Sequence, residues 1–502
     1  MKFAIYPPIG IARVGNSESL FLGPERIGSA GTELPEANAE CQNFKDSTFR
    51  VRPQACRFHL VQTDDDGGSP RLFVPDENTL VKWSVRLANK KDAILRPPTP
   101  PSSPVMPVNV AGRQDRLIDS GIVSIVGASA PPIALQGRYL TTVVELGGMQ
   151  TDEDSRLILT GGKGISFSPE NAPLGNEGLA APRRDSFYNN AGWFDDVSDG
   201  PVRADIELSS GEVVVADTAW LIVGPPDIAR TSLPVTSLYD VMKELAIERG
   251  WLPADTTTSF AKDIFPMLFN ARSLRWTHLD VNVAGSPNPT PEPNWAAMSA
   301  DYVSLADTGT SVAQIAVRKS EAGKVRKIEK FLRLYEMRKS QIDHLDRWVT
   351  GNFINDWTGS PPFESTISPD GLIRSALQAC AGQGFFPGIE AGRIVTLPDI
   401  YLQPFRFRFD SNKLVAGDIT ALMAQPWTAD FLECLNNWWP SQRADLAPQG
   451  DGSFDYWHRP FLDTDNDHRQ LAKNVMRLGI VKRSVDAAGV EGAVEEGRDP
   501  AL

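Results

Sequence analysis

The side chains able to do covalent chemistry are few. There are four thiols, Cys41, Cys56, Cys380 and Cys434, and five histidines in 502 residues. No Cys-x-x-Cys occurs, and no histidine pair has the spacing of a zinc site. A Walker loop, a dinucleotide-binding glycine string and a Gly-x-Ser-x-Gly elbow are absent too. What remains is a thiol on a helix face and a wealth of indoles. Ile373, Ala376, Leu377 and Cys380 fall at i, i+3, i+4 and i+7, which puts Cys380 on the buried side of a helix over 370–380. Twelve tryptophans are present, two of them adjacent as Trp438-Trp439. A buried thiol is ordinarily packing. Adjacent tryptophans are ordinarily one core and one groove residue.

The elements that must carry these residues divide the chain. Residues 1–235 read as β-rich. Val81, Trp83, Val85 and Leu87 alternate with polar residues, and short β-branched runs cover 121–126 and 141–146. Ile206 to Val215 reads as a hairpin around Ser209-Ser210-Gly211, and Trp220 to Val223 as a strand ended by Gly224-Pro225-Pro226. Residues 236–360 read as mainly helical. Ser237 and Asp240 form a capping box ahead of Leu238, Val241 and Leu245, and Ser340 is placed to cap a helix striped by Ile342, Leu345, Val349 and Phe353. Residues 361–483 hold Cys380 and the tryptophan pair, with a last helix over Leu471, Val475 and Leu478. The fold expected is α+β, with a large β-rich N-terminal half and a more helical C-terminal part carrying the site. Pro-rich connectors fall at 97–107 and 286–293. The acidic, Ala/Gly-rich tail 484–502 is expected to be disordered.

The bulk numbers exclude partners. A net charge of -13 repels phosphate backbones, so no nucleic acid is expected. No apolar run reaches membrane-spanning length, and the N-terminus lacks the pattern of a secretory signal, so a cytoplasmic protein away from membranes is expected.

Seven strings resemble, in order, the lysine 6-oxidase/glycine oxidase family of quinoproteins. They are Ile9-Gly10-Ile11-Ala12-Arg13-Val14-Gly15-Asn16-Ser17, then Gly192-Trp193-Phe194-Asp195-Asp196-Val197-Ser198-Asp199-Gly200-Pro201-Val202, then Leu238-Tyr239-Asp240-Val241. Phe353-Ile354-Asn355-Asp356-Trp357, Phe385-Phe386-Pro387-Gly388-Ile389-Glu390, Pro426-Trp427-x-Ala429-Asp430-Phe431 and Trp438-Trp439-Pro440-Ser441-Gln442-Arg443 follow. The resemblance implies a cysteine tryptophylquinone, in which a Cys just before the Pro-Gly-Ile-Glu string is joined by a thioether to an oxidised Trp. By position the Cys is Cys380. The Trp is Trp438 or Trp439, with Trp427 left open. Cys434 sits too near the pair to be preferred as the thiol.

The implied reaction is oxidative deamination of a primary amine or amino acid. An amine adds to a quinone carbonyl, and a base takes the proton from the amine-bearing carbon. Oxygen restores the cofactor, and ammonia and hydrogen peroxide leave. The resemblance also implies a flavoprotein maturation partner and a homo-oligomer. Candidates for the base are Asp195, Asp196, Asp199, Glu390 and Asp430. The pair Asp195 and Asp196 is preferred because adjacent carboxylates can split their pKa values. His458 and His468 could line the site, and Arg13 and Arg443 offer forks for a substrate carboxylate. One departure stands out. Family members that make the quinone carry an Asp one helical turn before the Cys, where this chain has Ala376, with Asp370 the nearest carboxylate upstream. The alternative is a quinone-less homologue acting as a binding or scaffold protein.

Overall fold

A computed structural model describes the chain except residues 35–38, 65–67, 94–112, 168–192, 231–232, 278–296, 332–336, 383–390, 392–393, 424–425, 430–443, 450–452, 462–469 and 472. Its first half is built from strands β1 (Lys2–Tyr6), β2 (Ile9–Arg13), β3 (Gln54–Thr63), β4 (Leu80–Val85), β5 (Val123–Val126), β6 (Ile133–Tyr139), β7 (Thr142–Thr151), β8 (Leu157–Gly161), β9 (Ser198–Glu207) and β10 (Ala219–Gly224). The main sheet runs β5-β4-β9-β10-β2-β3-β8-β7-β6, with β1 added on β3. Most neighbours are antiparallel, but β2 and β10 pair in parallel at its centre. Both are buried along their whole length. That is why their sequences read as continuous apolar runs rather than alternations. At the edge, β4 alternates as expected, with Val81, Trp83 and Val85 inward.

Helices occupy the middle of the chain: α1 (Leu238–Glu248), α2 (Phe265–Ser273), α3 (Val312–Phe331), α4 (Lys339–Val349) and α5 (Pro369–Gln378). The capping box of α1 is present, with the Ser237 hydroxyl accepting from the Asp240 backbone and the Asp240 carboxylate accepting from Ser237 N. Helix α4 starts one residue before Ser340. Its cap is Arg338, whose N–H donates to Gln341 Oε1 at 3.0 Å, while Ser340 N is taken by Glu244 of α1 at 2.9 Å. A tertiary acceptor therefore replaces the local serine cap. Leu268, Val325, Leu345 and Trp348 form a helical core distinct from the core of the sheet.

Two expectations change. Beyond α5 the described residues fold mostly as short 3₁₀ turns, loops and two hairpins, so the C-terminal part is less helical than its apolar spacing implies. Its buried aromatics, Tyr401, Phe405, Phe409 and Trp427, pack on the sheet instead of on neighbouring helices. The residues expected to form a disordered tail make a hairpin of β11 (Ile480–Val485) and β12 (Glu491–Glu496). Its acidic residues are held by cations from afar. Glu495 meets Arg459 at 2.7 Å, and Glu491 meets Arg272 at 2.5 Å. The Pro-rich connectors lie outside the described residues.

Candidate functional site

Cys380 follows directly on α5, one residue beyond the cap Ala379, and is fully buried. Serine 368 starts the helix, its hydroxyl accepting from Gly371 N at 3.0 Å, with Pro369 at the first helical position. The chain leaving the helix is then clamped against the entry to α1. Leu238 N donates to Cys380 O at 3.0 Å, Ala381 bridges to Ser237, and Gly382 N donates to Thr236 O at 3.0 Å. Residue 382 must be glycine here, because a Cβ would lie 2.1 Å from the Ser237 carbonyl oxygen. The thiol is thereby fixed in position from both sides along the backbone.

Among the described residues, a backbone carbonyl and a guanidinium meet the sulfur. Cys380 Sγ donates to Ala376 O at 3.5 Å, and Arg13 Nη2 donates to Sγ at 3.8 Å. Arg13 is the last residue of β2 and is 3% exposed. Its other Nη donates to Pro225 O at 3.1 Å, just past the end of β10. The parallel pairing of β2 with β10 thus brings a guanidinium to the thiol. A cation beside a thiol favours the thiolate, the form that reacts. Cys41 also has a guanidinium nitrogen on its sulfur, Arg52 Nη1 at 3.7 Å, but that arginine is paired with Glu33 at 2.6 Å. Burial pushes Cys41 up to about 12, and Cys56 higher still.

The loop after β10 adds Asp227 and Arg230. Asp227 is 7% exposed, and its Oδ1 has no hydrogen-bond partner. Burial pushes its carboxyl above the usual range, against the pull of Arg230 and Arg13. Arg230 Nη2 donates to Gln54 Oε1 at 2.6 Å, and its guanidinium stacks 4.4 Å from the Phe44 ring centroid. Sequence reasoning missed Asp227. After Gly224-Pro225-Pro226 it reads as an ordinary turn carboxylate, and no local pattern marks it as buried.

The acidic string runs into β9, whose first residues Ser198 and Asp199 pair with Val223 and Ile222 of β10. Asp195 accepts from Lys91 Nζ, from Asn89 Nδ2 at 2.7 Å and from Trp427 N at 2.7 Å. Asp199 accepts from Thr420 N at 2.7 Å, Thr420 Oγ1 at 2.6 Å and Trp220 Nε1 at 2.9 Å. Both carboxylates therefore dock the segment 417–427 onto the sheet. Asp196 Oδ2 accepts from Ile165 N at 2.9 Å, but its Oδ1 has no partner. Burial, with the charge of Asp195 beside it, pushes Asp196 up to about 8, and burial pushes Asp199 up to about 6. The string reaches the Arg13 strand through β10, whose Val223 pairs with both Ser198 and Ala12, and through Gly162. Asp196 packs on Gly162, whose carbonyl accepts from Gly15 N at 3.3 Å.

Trp427 is buried, and its indole N–H donates to Ile165 O at 3.3 Å. His458 is buried and packs on Tyr456. Trp438, Trp439, Cys434, Asp430, Glu390, Arg443 and His468 lie outside the described residues. Among the described residues no cluster of His, Cys, Asp and Glu could hold a metal ion, and no helix is long and apolar enough to cross a membrane.

The site is thus framed by a mostly antiparallel sheet with a parallel pair at its centre and an arginine from that pair on a buried thiol. Comparisons with known proteins give the family. Residues 6–223 match the L-Lysine epsilon oxidase N-terminal model, and residues 316–449 match the L-lysine epsilon oxidase C-terminal domain. The chain belongs to the L-lysine epsilon-oxidase family. It is 24% identical to the L-lysine 6-oxidase of Marinomonas mediterranea over 545 aligned positions, covering 86% of this chain and 71% of that protein. It superposes on crystal structures of the L-Lys epsilon-oxidase of the same organism. The Schiff base intermediate with L-Lys gives a TM-score of 0.75 at 19% identity, covering 100% of this chain and 95% of the other. A second structure gives 0.74 at 19% identity, covering 99% and 95%.

Proposed function

We propose that this protein oxidatively deaminates a primary amine or amino acid through a cysteine tryptophylquinone made from Cys380 and Trp438 or Trp439, releasing ammonia and hydrogen peroxide. The observation that carries the reading is the setting of Cys380. A fully buried thiol, clamped along the backbone on both sides, has a guanidinium nitrogen on its sulfur. A guanidinium on the sulfur favours the thiolate, the form that a thioether-forming step uses. The residues present therefore fit the thioether end of the cofactor. When formed, the quinone supplies an electrophilic carbonyl and a two-electron sink.

The chain's own residues do the rest. Burial of Cys380 keeps competing nucleophiles and oxidants from the sulfur. The β2–β10 pairing holds Arg13 in place, and Asp195 and Asp199 anchor the segment that leads into the Trp438-Trp439 string. Asp196, held protonated up to about pH 8, is the member of the acidic pair with a carboxyl oxygen left to give or take a proton, and it is our preferred base of the two. Oxygen serves as the terminal oxidant. A flavoprotein maturation partner and a homo-oligomer are carried over from the family resemblance alone. The named relative acts on L-lysine; for this chain the substrate class is kept at primary amines and amino acids.

Intact mass and peptide mapping of the protein, co-expressed with its native genomic neighbours, test the reading. The expected result is a gain of two oxygens and a loss of four hydrogens, with Cys380 linked to one Trp peptide. An unmodified mass, with Cys380 and the tryptophans on separate peptides, overturns it in favour of a quinone-less scaffold.

A further inference from the structure

Thioether formation at Cys380 first requires loss of the thiol proton, because the thiolate is the nucleophile. Cys380 is fully buried, so a carboxylate near it inside the protein is the natural acceptor. Helix α5 supplies none beside the sulfur. The residue one turn before Cys380 is Ala376, whose carbonyl is the group already accepting from Sγ. Its methyl faces a cavity of about 20 Å³ shared with Glu25, Cys56, Arg57 and Leu372. Glu25 is fully committed there. Arg57 reaches it at 2.5 Å and His59 at 2.7 Å, and these partners hold it near 2, overcoming burial. It is a poor proton acceptor for that reason.

The loop after β10 offers a different carboxylate. Arg13 spans from Cys380 Sγ, through Nη2, to Pro225 O, through Nη1. Two residues beyond Pro225 is Asp227, more than nine-tenths buried, with Oδ1 lacking any partner and with Arg13 and Arg230 as the cations acting on it. A buried carboxylate oxygen left without a donor is costly, and native proteins rarely keep one without a use.

We propose that Asp227 is the proton acceptor for Cys380, working across Arg13 during cofactor formation. It rests on the quinone reading above. The step is a proton transfer alone. The proton leaves Sγ and is taken up at Asp227 Oδ1, the electron pair stays on sulfur, and Arg13 remains protonated with Nη2 donating to the thiolate. Burial has already raised the Asp227 carboxyl, so it holds a proton better than a surface aspartate does. Its role is to position and receive charge, through Arg13, at a sulfur it is not seen to touch.

The test is the cross-linked fraction of Cys380, by peptide mapping, in protein co-expressed with its genomic neighbours, with thermal unfolding followed in parallel. Wild type is expected cross-linked. Asp227→Asn should lower the fraction about tenfold or more, the scale of a lost acid–base group. Asp227→Glu should restore it, and so should Asp227→Asn combined with Ala376→Asp, which places a carboxylate one turn before the thiol. A merely structural role would not be rescued from position 376. Should Asp227→Asn fail to fold, Arg13→Lys gives the second reading, since it keeps the charge but loses the fork that spans the two sites; it too should lower the fraction. A folded Asp227→Asn cross-linked to the wild-type extent overturns the assignment, as does a loss that neither rescue restores, or a wild-type fraction in Arg13→Lys. Wild type that is itself unmodified overturns the quinone reading, and the assignment with it. A modified wild type beside a modified Asp227→Asn overturns the assignment alone.

Discussion

Asp195 and Asp227 are both sealed from solvent, yet they are held in opposite ways. Asp195 has a fully buried lysine, an asparagine amide and a backbone N–H aimed at it. Asp227 has an oxygen with nothing on it and two arginines acting from around it. The first arrangement spends every lone pair on joining distant segments of chain. The second keeps capacity in hand, in the loop whose Pro225 carbonyl holds the arginine that meets the thiol. Saturation therefore separates carboxylates that build the molecule from those free to do chemistry, and it does so where sequence context fails. The acidic string stood out in the sequence, and Asp227 did not. Within that string the same test divides Asp196, with one empty oxygen, from Asp195 and Asp199.

The largest expected effect that would break this comparison is on Asp195. Asp195→Ala removes a carboxylate from the fully buried Lys91, which should cost about 3–5 kcal/mol in unfolding free energy. Denaturant melts showing less than about 1 kcal/mol would mean that Asp195 is no anchor. Next in size is Asp196. Burial pushes its carboxyl up from the ordinary 3.8 to about 8, so between these values the native state holds a proton that the unfolded state has lost. Its contribution to stability is whole at acidic pH and declines as pH rises toward 8. Asp196→Asn removes that decline, so the variant should gain on wild type by about 3–4 kcal/mol between pH 5 and pH 8. Parallel pH dependence of the two proteins would remove Asp196 from the group of proton carriers. The smallest effect is on Asp199. Thr420→Val deletes the hydroxyl donated at 2.6 Å but leaves the backbone donor, for a loss of about 1–2 kcal/mol. A neutral result in thermal melts would show that Asp199 is over-supplied with donors.

Much of the fold was legible because its signals are local. Alternation in β4 gave its buried face, the Ser237–Asp240 box gave the start of α1, and helical spacing gave the buried side of α5 and with it Cys380. The acidic hairpin of β11 and β12 was misread for the converse reason. Composition counts the glutamates, and only the folded chain brings Arg272 and Arg459 to neutralise them. Ser340 failed as a cap because Glu244 from another helix supplied the acceptor.

The sequence by itself determined the helix that leads to Cys380, the apolar strands of the central pair and the ordered strings that mark the family. These follow from periodicity and from residue identity, which act over a few positions. Only the tertiary structure decided what surrounds the thiol. Arg13 lies 367 positions from Cys380. It reaches the sulfur because β2 and β10 pair in parallel, which ends both strands at the same edge and folds the loop with Asp227 beside them. Charge balance in a buried site depends on through-space distance, and no local pattern encodes which distant cation or carboxylate will be near.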